Sequence, residues 1–272
     1  MTASFHLEAY LARVGFGGAP TADLPTLTAL HGLHAATMPF ENLNPLMGLP
    51  VLLDPAALQA KLIGSRRGGY CFEQNAVFAS ALGAIGFDVI PLSARVRWMA
   101  PPDRPEGARS HMLLRVNLPD GAYLADVGFG GHIMGAPIKL VADLEQTHGP
   151  SSLRLRMAGA ETFTLQTRLP GGWQDMYCFN LEPQFPSDYA VSNWFTSTHP
   201  DSIFIHTLMM ERLTPRVRVS LTNRRLIERW ADGRVTERRL ASADDLAQVL
   251  DILFEVTPPT PAQAIWAKIP AD

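Results

Sequence analysis

The chain has 272 residues, 47% of them hydrophobic and 18% charged, enough to bury a substantial core and too many for one small module. A formal net charge of −3, with basic residues scattered except over 212–239, offers no field to a polyanion and excludes nucleic acid as an expected partner. Residues 1–14 lack a cationic start followed by an apolar core, and no run of about 18 apolar residues exists to span a membrane. Two distant cysteines then fit a soluble protein of the reducing cytoplasm with no disulfide.

Helical signals fill residues 1–88. They cover 5–14, then 23–38 with Leu24, Leu27, Leu30 and Leu33, then 54–62, where Asp54 caps and Pro55 takes the first helical position. A further helix is predicted from the apolar run 72–85, opened by Cys71 and broken only at Gly83 and Gly86. From Phe87 the pattern turns to short β-like runs at 89–96, 111–118, 123–127, 152–157, 162–169 and 173–179. Pro101-Pro102, Pro119-Asp120-Gly121 and Pro170-Gly171-Gly172 punctuate them as an antiparallel meander. The last part is mixed, with strands at 217–222 and 225–230 and a helix at 243–254 capped by Ser242. The arginines of 212–239, interspersed with Glu211, Glu228 and Glu237, are expected on a solvated face.

The chemistry starts at Cys71. The positive end of a helix favours the thiolate, which is the nucleophilic form of cysteine. Such a sulfur needs a base, and the base an orienting acid. Of eight histidines, His111 stands out because it heads an alternating strand. Met112, Leu114, Val116 and Leu118 share one face, with His111, Arg115 and Asn117 on the other. Asp126 follows on the returning strand of a hairpin. A two-residue loop at Pro119-Asp120 pairs Leu118 with Gly121 and sets Asp126 on the His111 face, diagonal to it at about 7–8 Å. A loop at Asp120-Gly121 keeps that face one step further off, whereas a three-residue loop turns Asp126 away. Gly128, Gly130 and Gly131 let backbone approach an anionic or bulky ligand, or simply make a tight loop, and they match neither a dinucleotide nor a P-loop fingerprint.

Other chemically active side chains read as structural. Cys178, between Tyr177 and Phe179, is expected to be an inert core thiol. His31 and His34, spaced three apart with no third ligand nearby, are expected as surface or packing residues, and no metal is expected. Glu41 is expected to satisfy loop N–H groups.

Four motifs together resemble the arylamine N-acetyltransferase family. Arg67-Gly68-Gly69-Tyr70-Cys71-Phe72-Glu73-Gln74-Asn75 is similar to its nucleophile segment and Ser110-His111-Met112-Leu113-Leu114 to its histidine strand. Leu124-Ala125-Asp126-Val127-Gly128-Phe129-Gly130-Gly131 is similar to its aspartate segment, and Pro39-Phe40-Glu41-Asn42-Leu43 to a further element. Gln74 stands where members often carry His, outside the triad. The C-terminal third matches less distinctly.

The resemblance implies an α+β multidomain fold with a papain-like Cys-His-Asp arrangement. A helical domain (1–88) would carry Cys71, an antiparallel β-barrel domain (89–190) His111 and Asp126, and an α/β lid would span 191–272. It also implies acetyl transfer from acetyl-CoA, a co-substrate and not a permanently bound cofactor, to a small aromatic amine or hydrazine, by a monomer or homodimer. In that scheme Cys71 takes the acetyl group, His111 moves the proton and Asp126 fixes the imidazole. Phe40, Phe129 and Phe204 would line the acceptor pocket, although Phe40 and Phe204 read equally as core residues, and the CoA pyrophosphate would sit near Gly130 and Gly131. The rivals are a peptidase or transglutaminase of similar architecture, an amide synthase that does not use CoA, and a non-enzymatic binding protein on the same scaffold.

Overall fold

The computed structural model describes residues 5–101, 105–148, 151–159 and 161–270; Pro102 of the Pro101-Pro102 break lies outside them. Helices α1 (Leu7–Val14) and α2 (Leu24–Thr37) come first, followed by a two-residue strand β1 (Phe40–Glu41), short helices α3 (Leu43–Leu46) and α4 (Pro55–Leu58), and α5 (Cys71–Ile85). Eight strands follow: β2 (Asp88–Val96), β3 (Arg109–Leu118), β4 (Gly121–Ala125), β5 (Ile138–Lys139), β6 (Gln146–His148), β7 (Ser151–Met157), β8 (Phe163–Leu169) and β9 (Gly172–Phe179). The chain ends with α6 (Pro186–Thr198), β10 (Met209–Leu213), β11 (Val217–Thr222), β12 (Arg225–Trp230), β13 (Val235–Arg239), α7 (Ala243–Ile252) and α8 (Ala262–Lys268). The fold is α+β, in the order the sequence predicts, with β1, α3, β5, β6, α6, β10, β13 and α8 added. No described helix is long and apolar enough to cross a membrane.

Helix ends follow local chemistry. Asp23 accepts the Thr26 N–H at 2.9 Å and Asp54 the Ala57 N–H at 2.9 Å, with a proline in each first turn. Beyond α4 the chain widens into a π-helical turn over Gln59–Ile63, and Lys61 within it reaches Glu73 of α5 at 2.7 Å. α5 passes through Gly83 and stops at Gly86, whose φ of 107° is left-handed.

The eight strands form one antiparallel sheet in the order β5-β4-β3-β2-β9-β8-β7-β6. Its two edges meet through one side chain. Gln146 of β6 accepts the Lys139 N–H of β5 at 2.7 Å and donates to the Lys139 carbonyl at 2.9 Å, so an amide side chain imitates a ladder rung and nearly closes a barrel. Leu92, Leu113, Leu124, Leu155, Leu165 and Met176 fill its interior. A second core lies between α1, α2, α5 and the outer face of β3, where Tyr10, Leu27, Phe78, Leu114 and Val116 are buried.

The remaining strands form a sheet ordered β1-β10-β11-β12-β13. Its edge strand β1 comes from the helical N-terminal part, with Phe40 opposite Glu211 and Glu41 opposite Met210. The solvated face expected over 212–239 is found on β13 and at the exposed Arg225–Glu237 pair. It is not found at Glu211 and Arg218, which are 2% and 8% exposed and paired with each other, because their face of the sheet packs on the loop after β4.

Candidate active site

Cys71 is the first residue of α5, 5% exposed, with its sulfur 3.7 Å from the Ser110 carbonyl oxygen in β3. The approach to it is fixed from several sides. The Glu41 N–H donates to the Gly69 carbonyl at 3.0 Å, laying β1 alongside the chain that enters the helix. The Tyr70 N–H donates to Glu73 at 3.2 Å, closing the first helical turn, and the Tyr70 hydroxyl donates to the Asn193 side chain of α6. The helix N-terminus therefore presents the sulfur at a packed, apolar spot with a positive dipole end behind it.

β3 and β4 bring the other two groups. Leu118 pairs with Gly121 and Leu114 with Ala125, the register of a two-residue turn, so Asp126 emerges on the His111 side just past the end of β4. His111 Nε2 donates to Asp126 Oδ2 at 2.7 Å, and the imidazole also lies close enough to the Cys71 side chain to interact with it. Asp126 is fully buried and accepts three further hydrogen bonds: from Asn75 Nδ2 at 3.0 Å, from the Gly128 N–H at 2.9 Å and from the Tyr177 hydroxyl at 2.9 Å. Its own N–H donates to His31 Nε2 at 3.2 Å. The structure thus brings Cys71, His111 and Asp126 together.

The electrostatics follow from this geometry. Burial alone would drive protons off the His111 ring, but the Asp126 charge, their hydrogen bond and the Cys71 side chain outweigh it and hold the pKa up at about 10. Burial would raise the Asp126 carboxyl, yet the His111 charge and the hydrogen bonds from His111, Asn75 and Gly128 keep it below the usual range. Burial pushes His31 down to about 3 against the pull of Asp126, so it stays neutral and accepts. Burial and Asp126 hold Tyr177 well above its ordinary value, so its hydroxyl stays a donor. The outcome is an imidazolium held between a carboxylate and a sulfur.

The loop after Asp126 is pressed against this centre. A Cβ on Gly128 would stand 2.7 Å from the Cys71 Cα, so only glycine allows the backbone to lie on the first turn of α5. Phe129 sets its ring edge-on to His111, centroids 5.1 Å apart, and Tyr177 covers His111 at 4.8 Å. Gly130 lies under the Phe40 ring, which a Cβ would strike at 2.2 Å, and Gly131 against Trp98. Phe204 packs 6.2 Å from Phe40 and edge-on to Tyr70 at 5.7 Å. Phe40, Phe129 and Phe204 therefore border the same region, and both glycines make room for aromatic rings.

The profile of the N-acetyltransferase family matches residues 23–260. The chain belongs to the arylamine N-acetyltransferase family. An arylamine N-acetyltransferase of Mycolicibacterium smegmatis is 42% identical over 250 residues, covering 91% of this chain and 89% of the relative. The solved M. smegmatis arylamine N-acetyltransferase superposes with a TM-score of 0.93 at 38% identity, covering 99% and 100% of the two chains. That of Mycobacterium marinum in complex with CoA superposes at 0.92 and 35% identity, covering 97% and 98%. The family is one of acyltransferases, and the fold described above is the family's fold.

Sequence reasoning gave no role beside the triad to Asn75, Tyr177 or Gln74. Asn75 lies one helical turn after Cys71, a spacing that could have marked it, and it also donates to the Met112 carbonyl at 2.7 Å and accepts the Val127 N–H at 3.1 Å. Tyr177 reaches Asp126 only because β9 pairs with β2, which no local signal announces. His31 and His34 are packing residues and not surface ones, both fully buried. Gln74, the family departure, accepts a hydrogen bond from His34 Nε2 at 2.8 Å and donates to the Met38 and Pro39 carbonyls at 3.0 and 2.8 Å, tying α5 to the approach to β1. Glu41 has the structural role expected, accepting the Leu43 N–H at 2.7 Å and two bonds from Arg67 at 2.9 and 2.7 Å.

Proposed function

We propose that this protein transfers an acetyl group from acetyl-CoA, through a thioester on Cys71, to the nitrogen of an arylamine or arylhydrazine in the cytoplasm. The observation that carries the reading is that His111, hydrogen-bonded to the buried Asp126, lies beside Cys71 at the start of α5. The family membership and the solved relative in complex with CoA support the choice of donor.

In the first stage the Cys71 thiolate attacks the acetyl carbonyl carbon and a tetrahedral oxyanion forms, held by backbone N–H groups at the helix start. Its collapse breaks the bond to the CoA sulfur, which leaves with the proton from His111. His111 is then neutral, with Asp126 keeping its Nε2 protonated and its Nδ1 turned to the reaction. In the second stage the amine nitrogen attacks the thioester, His111 takes the nitrogen's proton, and Cys71 departs as thiolate. An aromatic amine is largely uncharged at neutral pH, so an apolar wall of Phe40, Phe129 and Phe204 serves it better than a strong base. The Gly130-Gly131 backbone is the proposed approach for the coenzyme.

The test is incubation with acetyl-CoA in the absence of amine, followed by peptide mass mapping. An acetyl adduct on Cys71 that vanishes when an arylamine is added is the expected result. No adduct on wild-type protein, together with failure of CoA to protect Cys71 from alkylation, would favour an amide synthase without CoA and overturn the proposal.

A further inference from the structure

The mechanism above leaves unused a buried charged pair of the C-terminal sheet. Glu211 of β10 and Arg218 of β11 are ion-paired and nearly inaccessible, and together they engage both backbone polar groups of one residue outside their sheet. Glu211 Oε1 accepts the Ile133 N–H at 2.9 Å and Arg218 Nη2 donates to the Ile133 carbonyl at 2.9 Å. Ile133 closes the turn that carries Phe129, Gly130 and Gly131, in which the His132 N–H donates to the Phe129 carbonyl at 3.3 Å. The same turn is gripped elsewhere by ordinary contacts: Phe129 on His111, Gly130 under Phe40, Gly131 on Trp98, and His132 bonded to Thr167 at 3.1 Å.

A buried ion pair brings little net stability by itself, because desolvating two charges offsets most of their attraction. What it supplies is geometry. A guanidinium and a carboxylate locked together offer one donor and one acceptor at a fixed separation, matched here to the N–H and C=O of a single peptide residue. A neutral pair on two flexible side chains would hold those groups less tightly.

We propose that the Glu211–Arg218 pair is a positioning device of the C-terminal sheet that sets the glycine turn for the acyl donor, and so governs the first stage of transfer selectively. The inference rests on the reading that Gly130 and Gly131 face the coenzyme. Neither side chain touches the reacting atoms, and the His111–Asp126 bond does not pass through them. Loosening the turn therefore disturbs entry of a donor that must thread past it and leaves the intrinsic reactivity of the sulfur unchanged.

Two variants test this, Arg218→Lys, which keeps the charge and loses the second donor, and Glu211→Gln, which keeps an acceptor for Ile133 and loses the charge. Each is measured with two acyl donors, acetyl-CoA and p-nitrophenyl acetate, the latter small enough to acylate Cys71 without the coenzyme's path. The expected result is a KM for acetyl-CoA raised about tenfold, with acylation by p-nitrophenyl acetate within about twofold of wild type. If both donors slow equally, or the variants lose both reactions with their fold, the pair is a structural element only and the inference is overturned. It is equally overturned if neither donor is affected. Wild-type protein that reacts with p-nitrophenyl acetate but never with acetyl-CoA would instead refute the proposed function, which keeps the two failures distinct.

Discussion

Asp126 receives donors from three different elements and its own loop: His111 from β3, Asn75 from α5, Tyr177 from β9 and the Gly128 N–H. A carboxylate so fully satisfied costs little to keep ionised in a dry site, and its charge keeps His111 protonated. Because the folded pKa of His111 lies above the roughly 6.5 of a free imidazole, its stabilising contribution is complete below about 6.5 and is lost as pH rises through about 10. Asp126 has the opposite sign: its folded value is depressed, so its contribution is present above the ordinary aspartate range and is lost as pH falls through the folded value. Asp126→Asn removes the charge while keeping the shape. Burial then dominates His111, and its titration, followed by the imidazole proton resonances in NMR, is expected to fall from about 10 to below about 6.5. Acetyl transfer should drop by about 10³ to 10⁴-fold through loss of tautomer control. A His111 that still titrates near its wild-type value in Asp126→Asn would show that the carboxylate is not the source of the shift.

At the level of elements, the site is a contact between a helix start and a hairpin end, and Gly128 sets how close they come. Gly128→Ala places a methyl 2.7 Å from the Cys71 Cα and 2.8 Å from the Asn75 amide nitrogen, against backbone and a buried side chain that cannot swing away. The hairpin end must then back off from α5. We expect acylation of Cys71 to slow by at least about tenfold, with a stability loss of about 1–3 kcal/mol. Gly83→Ala is the comparison, since a Cβ there meets nothing within 4 Å, and it should leave acylation unchanged and gain up to about 1 kcal/mol. Equal acylation rates in the two variants, by rapid-quench mass spectrometry, would contradict the role given to Gly128. The helix and the hairpin were legible in the sequence because their instructions are local. An apolar run of helical length follows Gly68-Gly69-Tyr70, and Pro119-Asp120 makes a turn whose length alone selects the face of Asp126. The same locality explains what was not legible. Tyr177 enters the site by strand pairing at long range, and Glu211 and Arg218 looked like members of a charged stretch until the sheet turned one face onto a loop.

For the whole molecule, the decisive feature is that the chain's N-terminal part and C-terminal sheet share a strand. Composition divides the sequence into helical, β and mixed parts, but no local pattern marks a two-residue strand at Phe40–Glu41 as the edge of a sheet completed some 170 residues later. That strand joins three things: the sheet at β10, the chain entering Cys71 at Gly69, and a buried charge cluster in which Glu41 meets Arg67 at 2.7 Å and Lys61 at 3.9 Å. The cluster lies where the N-terminal part meets the C-terminal sheet, so its loss should be felt globally. Removing one partner leaves the other charge buried with fewer compensating groups, whereas removing both removes the desolvation cost as well. Arg67→Leu and Glu41→Leu are each expected to lower the unfolding free energy by about 3–5 kcal/mol, and the double variant by clearly less than the sum of the two. Urea unfolding followed by fluorescence measures this directly. Strict additivity would mean that the two residues act independently, and that the junction is held by the β1–β10 pairing and the surrounding apolar contacts instead of by the ion pair.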